Sequence, residues 1–407
     1  MQSGTNLPRV RDYNQGVVLD AIRVGSGISR VEIAEHTGLT AQTVSNIVRR
    51  LLDEGLVIED GVDPSGRKPR VKLWLNSGAR YAVGALLDRD EIFMALVGLD
   101  GRILARAYRP VDQQQGAMGV VSQIVLATDL LVSESGVPRN KLVGFGLGCP
   151  GPMDHDKGVL YEPLDLFGLN WHAVEIKEAL QQQMGVPVIV DNDATAAAIG
   201  ERWLGGRQRS RNFAFVFMGI GGIGAGFFIE NQIYRGDTTN AGEIGHMTLN
   251  PEGPECFCGS RGCLELYSAP SSLLKTIRQR LQQGEKSSLP LAGLTFAQVG
   301  QAAQEGDQLA LEVIQNSARM LGFGLISLVN LLDLRLIVLG GRYMGYVAPF
   351  YQAEIQKIFN QRLLTRNVRG VDIETSIAGE DAGAVGAASL VFHELFSARL
   401  TELRLVP

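Results

Sequence analysis

Long hydrophobic runs, strong net charge and abundant cysteine are all missing from this sequence. No uninterrupted apolar run reaches the roughly 18 residues that a membrane span needs, and residues 1–10 lack the apolar core of a secretory leader. The chain has four cysteines in 407 residues and a net charge of −5. These absences argue against a membrane protein, a disulfide-stabilised secreted domain and a chain coated in nucleic-acid-binding surface. We therefore expect a cytoplasmic protein with no membrane partner.

The length and the distribution of charge indicate a modular protein. A chain of 407 residues is too long for one compact core, so two or three domains are expected. Residues 1–80 contain 11 Lys and Arg against 9 Asp and Glu, a net of +2, and the remainder therefore carries −7. A small, mildly basic unit on a larger acidic body is typical of a modular DNA-binding protein.

Three helices are predicted within the first 55 residues. Apolar residues recur at helical spacing over 17–24, and glycines follow at 25 and 27. Ser29 and Glu32 form an S-x-x-E capping box, which predicts the start of a second helix, and Gly38 is suited to end it in the left-handed conformation. Thr40 caps the third helix. A short glycine-containing turn between two helices predicts a helix–turn–helix.

The third helix and the segment after it carry side chains that suit DNA. Amide side chains pair with adenine, and arginine reaches guanine or phosphate. A strand over 56–58, a polar loop over 60–69 and alternating apolar residues over 71–75 predict a wing whose basic tip reaches the minor groove or phosphates. The predicted DNA-binding residues are Gln42, Thr43, Ser45, Asn46, Arg49, Arg67 and Lys68.

From Tyr81 onward the pattern changes to that of an α/β body. Apolar runs over 81–87 and 92–97 predict a β-meander, and buried strands are predicted over 142–148 and 186–190. The last of these ends in Asp191-Asn192-Asp193, where α/β folds build their sites. Glycine is dense over 219–226, which favours either a phosphate cradle or a tight hairpin, and the sequence leaves both open.

A histidine and three cysteines have the composition of a metal site. His246, Cys256, Cys258 and Cys263 lie within 18 residues, and one imidazole nitrogen with three thiolates forms the tetrahedral set that zinc prefers. No coordination position is left for water or substrate. The sequence therefore predicts a structural zinc ion.

These motifs resemble the ROK family, which contains bacterial sugar kinases and sugar-controlled repressors, and the segment 242–265 carries the most specific match. The N-terminal extension resembles the repressor branch. The resemblance implies a two-lobed, actin-like or sugar-kinase-like α/β body behind a winged helix–turn–helix. The implied domains are residues 1–80, a smaller lobe of 81–194 with 384–407, and a larger lobe of 195–383 that holds the zinc loop and an oligomerisation surface. The implied sugar-binding residues are Asn170, Asn192, Asp193, Glu243, His246 and Glu265.

One departure from the kinases of that family separates the possible functions. Their Asp-x-Gly-Gly-Thr phosphate loop corresponds here to 86–90, with Leu86 for the aspartate, Asp88 and Arg89 for the glycines and Asp90 for the threonine. Two carboxylates are then expected to face the ATP phosphates and to repel them. Leu339-Gly340-Gly341, which resembles the adenosine-side motif, is expected to be retained architecture. The resemblance therefore implies a regulator that binds a sugar or sugar phosphate without phosphorylating it and is not an enzyme.

The expected mechanism is a change in DNA affinity. Sugar binding between the lobes alters the spacing of two winged helices in a homodimer or homotetramer on double-stranded operator DNA. Two alternatives remain at this level: an active ATP-dependent sugar kinase with a vestigial extension, and a repressor released by a protein partner. The identity of the sugar, the operator and the direction of the response are open.

Overall fold

A computed structural model of the chain describes residues 7–63, 69–161, 171–209 and 212–396. The helices of these residues, in chain order, are α1 (Leu7–Gly25), α2 (Arg30–Thr37), α3 (Ala41–Asp53), α4 (Gly116–Ser135), α5 (Ile176–Met184), α6 (Asp193–Leu204), α7 (Glu265–Ser268), α8 (Pro270–Gln282), α9 (Phe296–Gln304), α10 (Gln308–Leu332), α11 (Met344–Arg362) and α12 (Ala382–Phe396). The strands are β1 (Val57–Asp63), β2 (Arg70–Leu75), β3 (Tyr81–Leu87), β4 (Glu91–Gly98), β5 (Ile103–Pro110), β6 (Leu142–Cys149), β7 (Met153–Asp154), β8 (Val159–Leu160), β9 (Val188–Asn192), β10 (Phe213–Met218), β11 (Ile223–Ile229), β12 (Gln232–Tyr234), β13 (Leu336–Gly340) and β14 (Asp372–Thr375).

The N-terminal helices begin and end where their capping residues predict. Ser29 and Glu32 form the reciprocal capping box at the start of α2, and Gly38 ends that helix at φ 71°. Thr40 accepts a hydrogen bond from the backbone N–H of Thr43 at the start of α3. The apolar side of α3 is buried against α1 and α2. The predicted helix–turn–helix is therefore confirmed.

The wing is an antiparallel hairpin of β1 and β2, and it is longer than the sequence suggested. The polar loop was expected from Asp60, but β1 continues to Asp63, whose backbone lies opposite that of Arg70 in β2. A bulge between Glu59 and Val62 lets the strand resume after its acidic and glycine residues. Pairing with β2 outweighs the poor strand propensity of these residues. The predicted tip residues Arg67 and Lys68 lie outside the described residues.

The body consists of two five-stranded sheets with the same topology. The first has the order β5-β4-β3-β6-β9 and the second the order β12-β11-β10-β13-β14. In each sheet three strands form an antiparallel meander, and two further strands continue in parallel with the first of the three. Helices α6 and α12 pack on each other and contact both sheets between them. This is the two-lobed α/β arrangement expected from the sequence. The lobe limits at 194 and 384, which fall in the first turns of α6 and α12, stay predictions.

Two glycines allow α12 to lie directly on the first sheet. A Cβ added to Gly84 would lie 2.0 Å from the carbonyl oxygen of Ala384, and one added to Gly146 would lie 1.8 Å from that of Ala387. We expect Gly146→Ala to lower the free energy of unfolding by about 2–4 kcal/mol, because a rigid helix backbone must move to relieve the overlap. Urea unfolding followed by circular dichroism measures this loss. Gly345→Ala in α11 is the matched control, since its added Cβ meets nothing within 4 Å, and an equal loss in both variants would contradict the close-packing account.

The helix–turn–helix unit is packed onto the body rather than held by a free linker. One cluster of buried apolar side chains runs from α1, α2 and α3 through β3 and β4 to α12. Trp203 at the end of α6 belongs to this cluster, and its ring lies 5.7 Å from that of Phe392. Movements of the body can therefore reach the first 80 residues through packed contacts.

Among the described helices, α4 alone combines the length of a membrane span with a suitable mean hydropathy, 1.6. Its apolar residues are interrupted by polar ones such as Gln123 and Asp129. For this reason the helix does not contain an uninterrupted apolar run of roughly 18 residues. Val120, Val121 and Ile124 on α4 are fully buried against the first sheet. The core helix of an α/β layer meets the same criterion of length and hydropathy.

Candidate functional site

A cavity of about 300 Å³ lies between the two sheets at the carboxyl ends of β6 and β9. Polar side chains reach it from four separate segments of the chain. The lining side chains that can bind or exchange protons are Asp88, Arg89, Asn192, Asp193, Asn240, Glu243, His246, Cys258 and Glu265. Five of the six residues predicted to bind sugar are thus brought together in one cavity. The sixth, Asn170, lies outside the described residues.

Asn192 and Asp193 are placed by the transition from β9 to α6. The side-chain oxygen of Asn192 caps the helix by accepting from the backbone N–H groups of Ala194 (2.9 Å) and Thr195 (3.2 Å). The amide NH₂ of Asn192 is then the group that can serve a ligand. Asp193 Oδ1 also accepts from Ala194 N at 2.6 Å. Burial, reinforced by the carboxylates of Asp88 and Glu243, raises the pKa of Asp193 to about 7.

The raised pKa of Asp193 gives the protein a pH-dependent stability. The contribution of this carboxyl is fully present below pH ~4 and is lost as the pH rises through about 7, because the ionised form is disfavoured in the folded state. We expect Asp193→Asn to be more stable than the wild type at pH 8, by up to about 4 kcal/mol for a pKa raised from 3.8 to about 7, and to gain less than half as much near pH 5, where only part of the cost of ionisation has appeared. Asp156→Asn is the control, since its side chain is 88% exposed. Equal gains at both pH values would contradict the assignment.

The loop over 86–90, which corresponds to the phosphate loop of the kinases, contributes Asp88 to the lining of the cavity. This carboxylate accepts from its neighbour Arg89 N (2.7 Å) and, across the lobes, from Ile220 N (3.3 Å), and burial raises the pKa of Asp88 to about 6. The expectation that Asp90 also faces the cavity is wrong, because that side chain is 54% exposed and pairs with Arg89 at 3.0 Å. The turn between β3 and β4 directs only the first of the two carboxylates inward.

The glycine-rich segment is a hairpin turn. Met218 pairs with Ile223 across β10 and β11, and Gly219 N donates to Gly222 O at 3.1 Å. Of the two alternatives left open by the sequence, the tight hairpin is the one observed. The turn still forms one wall of the cavity, and its Ile220 amide is the group that Asp88 binds.

The two lobes are also joined on the side of the Leu339-Gly340-Gly341 segment. The next residue, Arg342, lies over the ring of Phe93 at 4.2 Å and is 3.4 Å from a carboxylate oxygen of Glu91. The Tyr343 hydroxyl donates to Glu91 at 3.0 Å. Side chains therefore link the two lobes at two places. One link lies at the segment that corresponds to the phosphate loop, and the other lies beside the segment that corresponds to the adenosine motif.

Glu243, His246 and Glu265 form a further part of the cavity wall. Glu243 precedes a 3-10 turn over Ile244–His246, and partial removal of its carboxyl from water in the cleft raises its pKa, with His246 opposing the effect and repulsion from Glu265 adding to it. Glu265 is 5% exposed at the start of α7, and its Oε1 accepts from Cys256 Sγ at 3.2 Å. Glu265 thus contacts both the cavity and the cysteine cluster.

The four predicted metal ligands are clustered. The ligand atoms of His246, Cys256, Cys258 and Cys263 all lie within 4.8 Å of one another. Cys256 Sγ is 3.7 Å from His246 Nδ1, and Cys258 Sγ is 3.7 Å from Cys263 Sγ. Tetrahedral bonds of ~2.3 Å would separate ligand atoms by roughly 3.8 Å. The cluster can therefore bind a four-coordinate metal ion, with Nδ1 of His246 on the metal side and its other ring nitrogen left for the cavity.

Several cavity residues were not predicted. Asn240 bridges the lobes, since its side chain accepts from Met153 N and donates to Met153 O, both at 3.1 Å. Phe257, between two of the cysteines, lies edge-on to His246 with ring centroids 5.1 Å apart. Neither residue is marked by spacing or composition. Asp88 was identified in the sequence, but as a group that repels phosphate rather than as a partner of Ile220.

The predicted DNA-binding residues form one face of α3. Gln42, Asn46 and Arg49 are exposed, whereas Thr43 and Ser45 are half-buried. Gln42 Nε2 donates to Asn46 Oδ1 at 3.2 Å, so these two amides lie side by side. The Thr43 hydroxyl lies 2.9 Å from that of Thr40 and takes part in the helix start. Three of the five residues thus present exposed polar groups, and their contact with DNA stays a prediction.

Comparison with known proteins agrees with this architecture. The ROK family model matches residues 84–394, and the MarR family model matches residues 9–67. The chain is 32% identical over 384 residues to the xylose repressor of Bacillus subtilis strain 168, and the matched region covers 94% of this chain and 95% of that protein.

Two solved structures have the same fold. A ROK family transcriptional regulator, described as a homologue of the Escherichia coli MLC protein, superposes with a TM-score of 0.78 at 24% identity over 97% of this chain and 99% of its own. A ROK family glucokinase from Streptomyces griseus in complex with glucose and AMPPNP has a TM-score of 0.68 at 28% identity, covering 76% of this chain and 98% of its own. The chain therefore belongs to the ROK family, with a helix–turn–helix domain that matches the MarR family model placed ahead of the ROK body.

Proposed function

We propose that this protein is a sugar-responsive DNA-binding repressor, acting on carbohydrate uptake or catabolism genes, whose kinase-like body binds a sugar or sugar phosphate without phosphorylating it. The observation that carries the proposal is the hydrogen bond between Asp88 and Ile220 N. This hydrogen bond lies in the cavity that contains the sugar-side carboxylates and the amide of Asn192. In the same cavity the carboxylate of Asp88 occupies the side where the family's kinases bind phosphate. The helix–turn–helix would allow such a protein to act by binding DNA rather than by catalysis.

The chemistry of the cavity supports a polyhydroxylated ligand. Asp193, Glu243 and Glu265 offer carboxylate oxygens, and Asn192 offers an amide donor, so vicinal hydroxyls meet both acceptors and donors. The half-buried His246 ring presents one nitrogen from the cluster wall. The similar xylose repressor and the glucose-bound glucokinase support a sugar as the ligand class.

The same geometry opposes phosphoryl transfer. An ATP phosphate at the glycine turn would compete with Asp88 for the Ile220 amide and would approach a half-buried carboxylate. Arg342 and Tyr343 bind Glu91 across the adenosine side. Asp193 matches the general base of the family's kinases, and without a phosphoryl donor for the sugar hydroxyl to attack we assign it to binding that hydroxyl.

The metal cluster is proposed to hold a structural zinc ion. Three thiolates and one imidazole are the soft and borderline donors that zinc prefers among common divalent ions. All four positions are supplied by the chain, so the ion would have no open site for chemistry. It would fix the orientation of His246 and of the loop that ends at Glu265, and so stiffen one wall of the sugar cavity.

DNA binding is assigned to the exposed face of α3 and to the wing. We propose that Gln42, Asn46 and Arg49 reach base edges, with Thr43 and Ser45 beside them, and that Arg67 and Lys68 hold phosphates or the minor groove. The protein would act in the cytoplasm as a homodimer or homotetramer. Sugar binding would change the spacing of two such units on double-stranded operator DNA.

A thermal unfolding panel tests the ligand class. The panel contains D-glucose, D-xylose, N-acetyl-D-glucosamine, their phosphates and ATP with Mg²⁺. A ligand at 100 times its Kd stabilises a protein by ~2.7 kcal/mol, so a shift with one sugar and none with ATP is expected. A clear ATP shift would favour the kinase alternative and require an assay of phosphoryl transfer. No shift with any compound would favour a repressor released by a protein partner.

A DNA-binding measurement then tests the regulatory part. The wild-type chain is used to select duplexes from a random-sequence pool, and its affinity for the selected duplex is measured with and without the stabilising sugar. A change of at least fivefold is expected for a regulator, since allosteric couplings span about 5–150-fold. Equal affinities in the two conditions would overturn the proposed function.

A further inference from the structure

The C-terminal end of α6 is held by an arginine from the DNA-binding domain. Arg23 Nη1 donates to the backbone oxygens of Arg202 (2.7 Å) and Trp203 (2.6 Å). Its guanidinium lies over the Trp203 ring at 5.0 Å, and its Nε donates to Asp20 at 3.1 Å. The last carbonyls of a helix lack partners within the helix and carry partial negative charge. Arg23 therefore acts as a C-terminal cap that comes from another domain.

The opposite end of α6 contributes to the wall of the ligand cavity. Asn192 caps its first turn and Asp193 is its first residue, and both line the cavity. All ten residues from Ala194 to Trp203 are buried. With 12 residues, the helix is roughly 18 Å long. One buried, unbroken helix thus joins the proposed sugar site to a buried contact of the DNA-binding domain.

Helix α6 packs backbone to backbone against α12. A Cβ on Gly200 would lie 2.7 Å from Gly386 Cα, so α6 meets α12 without a side chain interlocked between the backbones at this point. At its C-terminal end the helix borders a cavity of about 750 Å³, which α1 lines with Tyr13 and Val17. The junction of the two domains therefore combines buried apolar packing with directed polar contacts beside open space.

The polar contacts at this junction are incompletely satisfied. Asp20 serves both Arg23 and Arg202, at 3.1 Å and 3.4 Å, while Asn231 accepts from Arg202 at 2.7 Å. Arg202 is 7% exposed, and within the part of the chain that the structure describes its Nη1 is buried with no hydrogen-bond partner. Two guanidinium groups that share one carboxylate can exchange partners when the helix shifts.

We propose that α6 transmits occupancy of the sugar cavity to the DNA-binding domain, and that Arg23 is the positioning residue through which the transmission passes. The inference rests on the proposed function and deepens it. A ligand that binds Asn192 and Asp193 acts on the first turn of α6, and the displacement reaches Arg23 because no flexible segment intervenes. Arg23 is not among the residues that line the ligand cavity, and it belongs to α1 rather than to α3.

Arg23→Met tests this role, since methionine keeps the apolar reach of the side chain and removes the guanidinium. The sugar that stabilises the wild type, and the duplex selected by it, are used throughout. We expect the Kd for the sugar to change less than threefold, whereas the ratio of DNA affinities with and without sugar falls from its wild-type value to within twofold of one. Arg11→Met is the matched control, because Arg11 is 61% exposed on the same helix and pairs with its neighbour Asp12.

The wild-type ratio is measured first, so that loss of the proposed function is recognised separately from loss of the inference. A wild-type ratio retained by Arg23→Met, or an equal loss in Arg11→Met, overturns the role of Arg23. If Arg23→Met does not fold, Asp20→Asn replaces it, because this change keeps the cap and weakens the carboxylate that Arg23 and Arg202 share. A reduced ratio with an unchanged sugar Kd then supports the proposal, and a wild-type ratio overturns it.

Discussion

Replacement of Cys263 by serine is expected to abolish stoichiometric zinc binding and to lower the free energy of unfolding by several kcal/mol. The serine hydroxyl is not a thiolate at neutral pH, so the site keeps three of its four ligands. Apparent binding energies of structural zinc sites reach about 10–16 kcal/mol in isolated zinc-finger peptides. The loss in this protein will be smaller, because the remainder of the larger lobe has its own core.

Metal analysis of the purified chain, followed by thermal unfolding with and without a chelator, measures the effect. Cys149→Ser is the matched control, since Cys149 is also buried but its sulfur lies 4.0 Å from a backbone oxygen of Asp191, outside the cluster. The wild type and Cys149→Ser should each hold one zinc per chain. A wild-type protein well below one zinc per chain, or a Cys263→Ser variant that retains it, would contradict the metal assignment.

Glu243→Gln is expected to weaken sugar binding by about 10–150-fold, because hydrogen bonds to a charged group contribute ~1.5–3 kcal/mol. The amide is nearly isosteric, so the shape of the cavity is kept. The DNA affinity of the sugar-free variant should stay that of the wild type. In cells such a variant should lose its regulatory response to the sugar.

Titration calorimetry with the stabilising sugar gives the change in Kd, and binding to the selected duplex gives the DNA affinity. Glu230→Gln serves as the control, because Glu230 is exposed and does not line the 300 Å³ cavity. If Glu243→Gln bound the sugar as tightly as the wild type, the ligand would have to lie elsewhere. If the control weakened binding equally, a general effect of charge would be responsible.

Features that depend on neighbouring residues were predictable from the sequence. The capping box of Ser29 and Glu32 and the cysteine cluster are defined by spacings of a few residues, and the structure has both. Five of the six sugar-side residues that the family resemblance implied line one cavity. The β1 strand was underestimated because its acidic and glycine residues form a strand only when β2 is paired beside them.

Features that depend on distant residues were not predictable. Arg23 and Arg202 are 179 positions apart, and in the sequence Arg23 is one of several polar residues on an amphipathic helix. The different orientations of Asp88 and Asp90 depend on the turn between β3 and β4 and on the approach of Ile220 from the other lobe. Composition and periodicity carry no information on which of two nearby carboxylates a turn will direct inward.

The bond between Asp88 and Ile220 bears on what the proposed regulator can measure. A kinase consumes its sugar at each turnover, so the time its site is filled depends on ATP supply and on catalytic flux. A body that holds the sugar until it dissociates is a sensor at equilibrium, and its occupancy follows the free sugar concentration through a single Kd. Gene expression controlled in this way reports nutrient abundance independently of the energy charge of the cell.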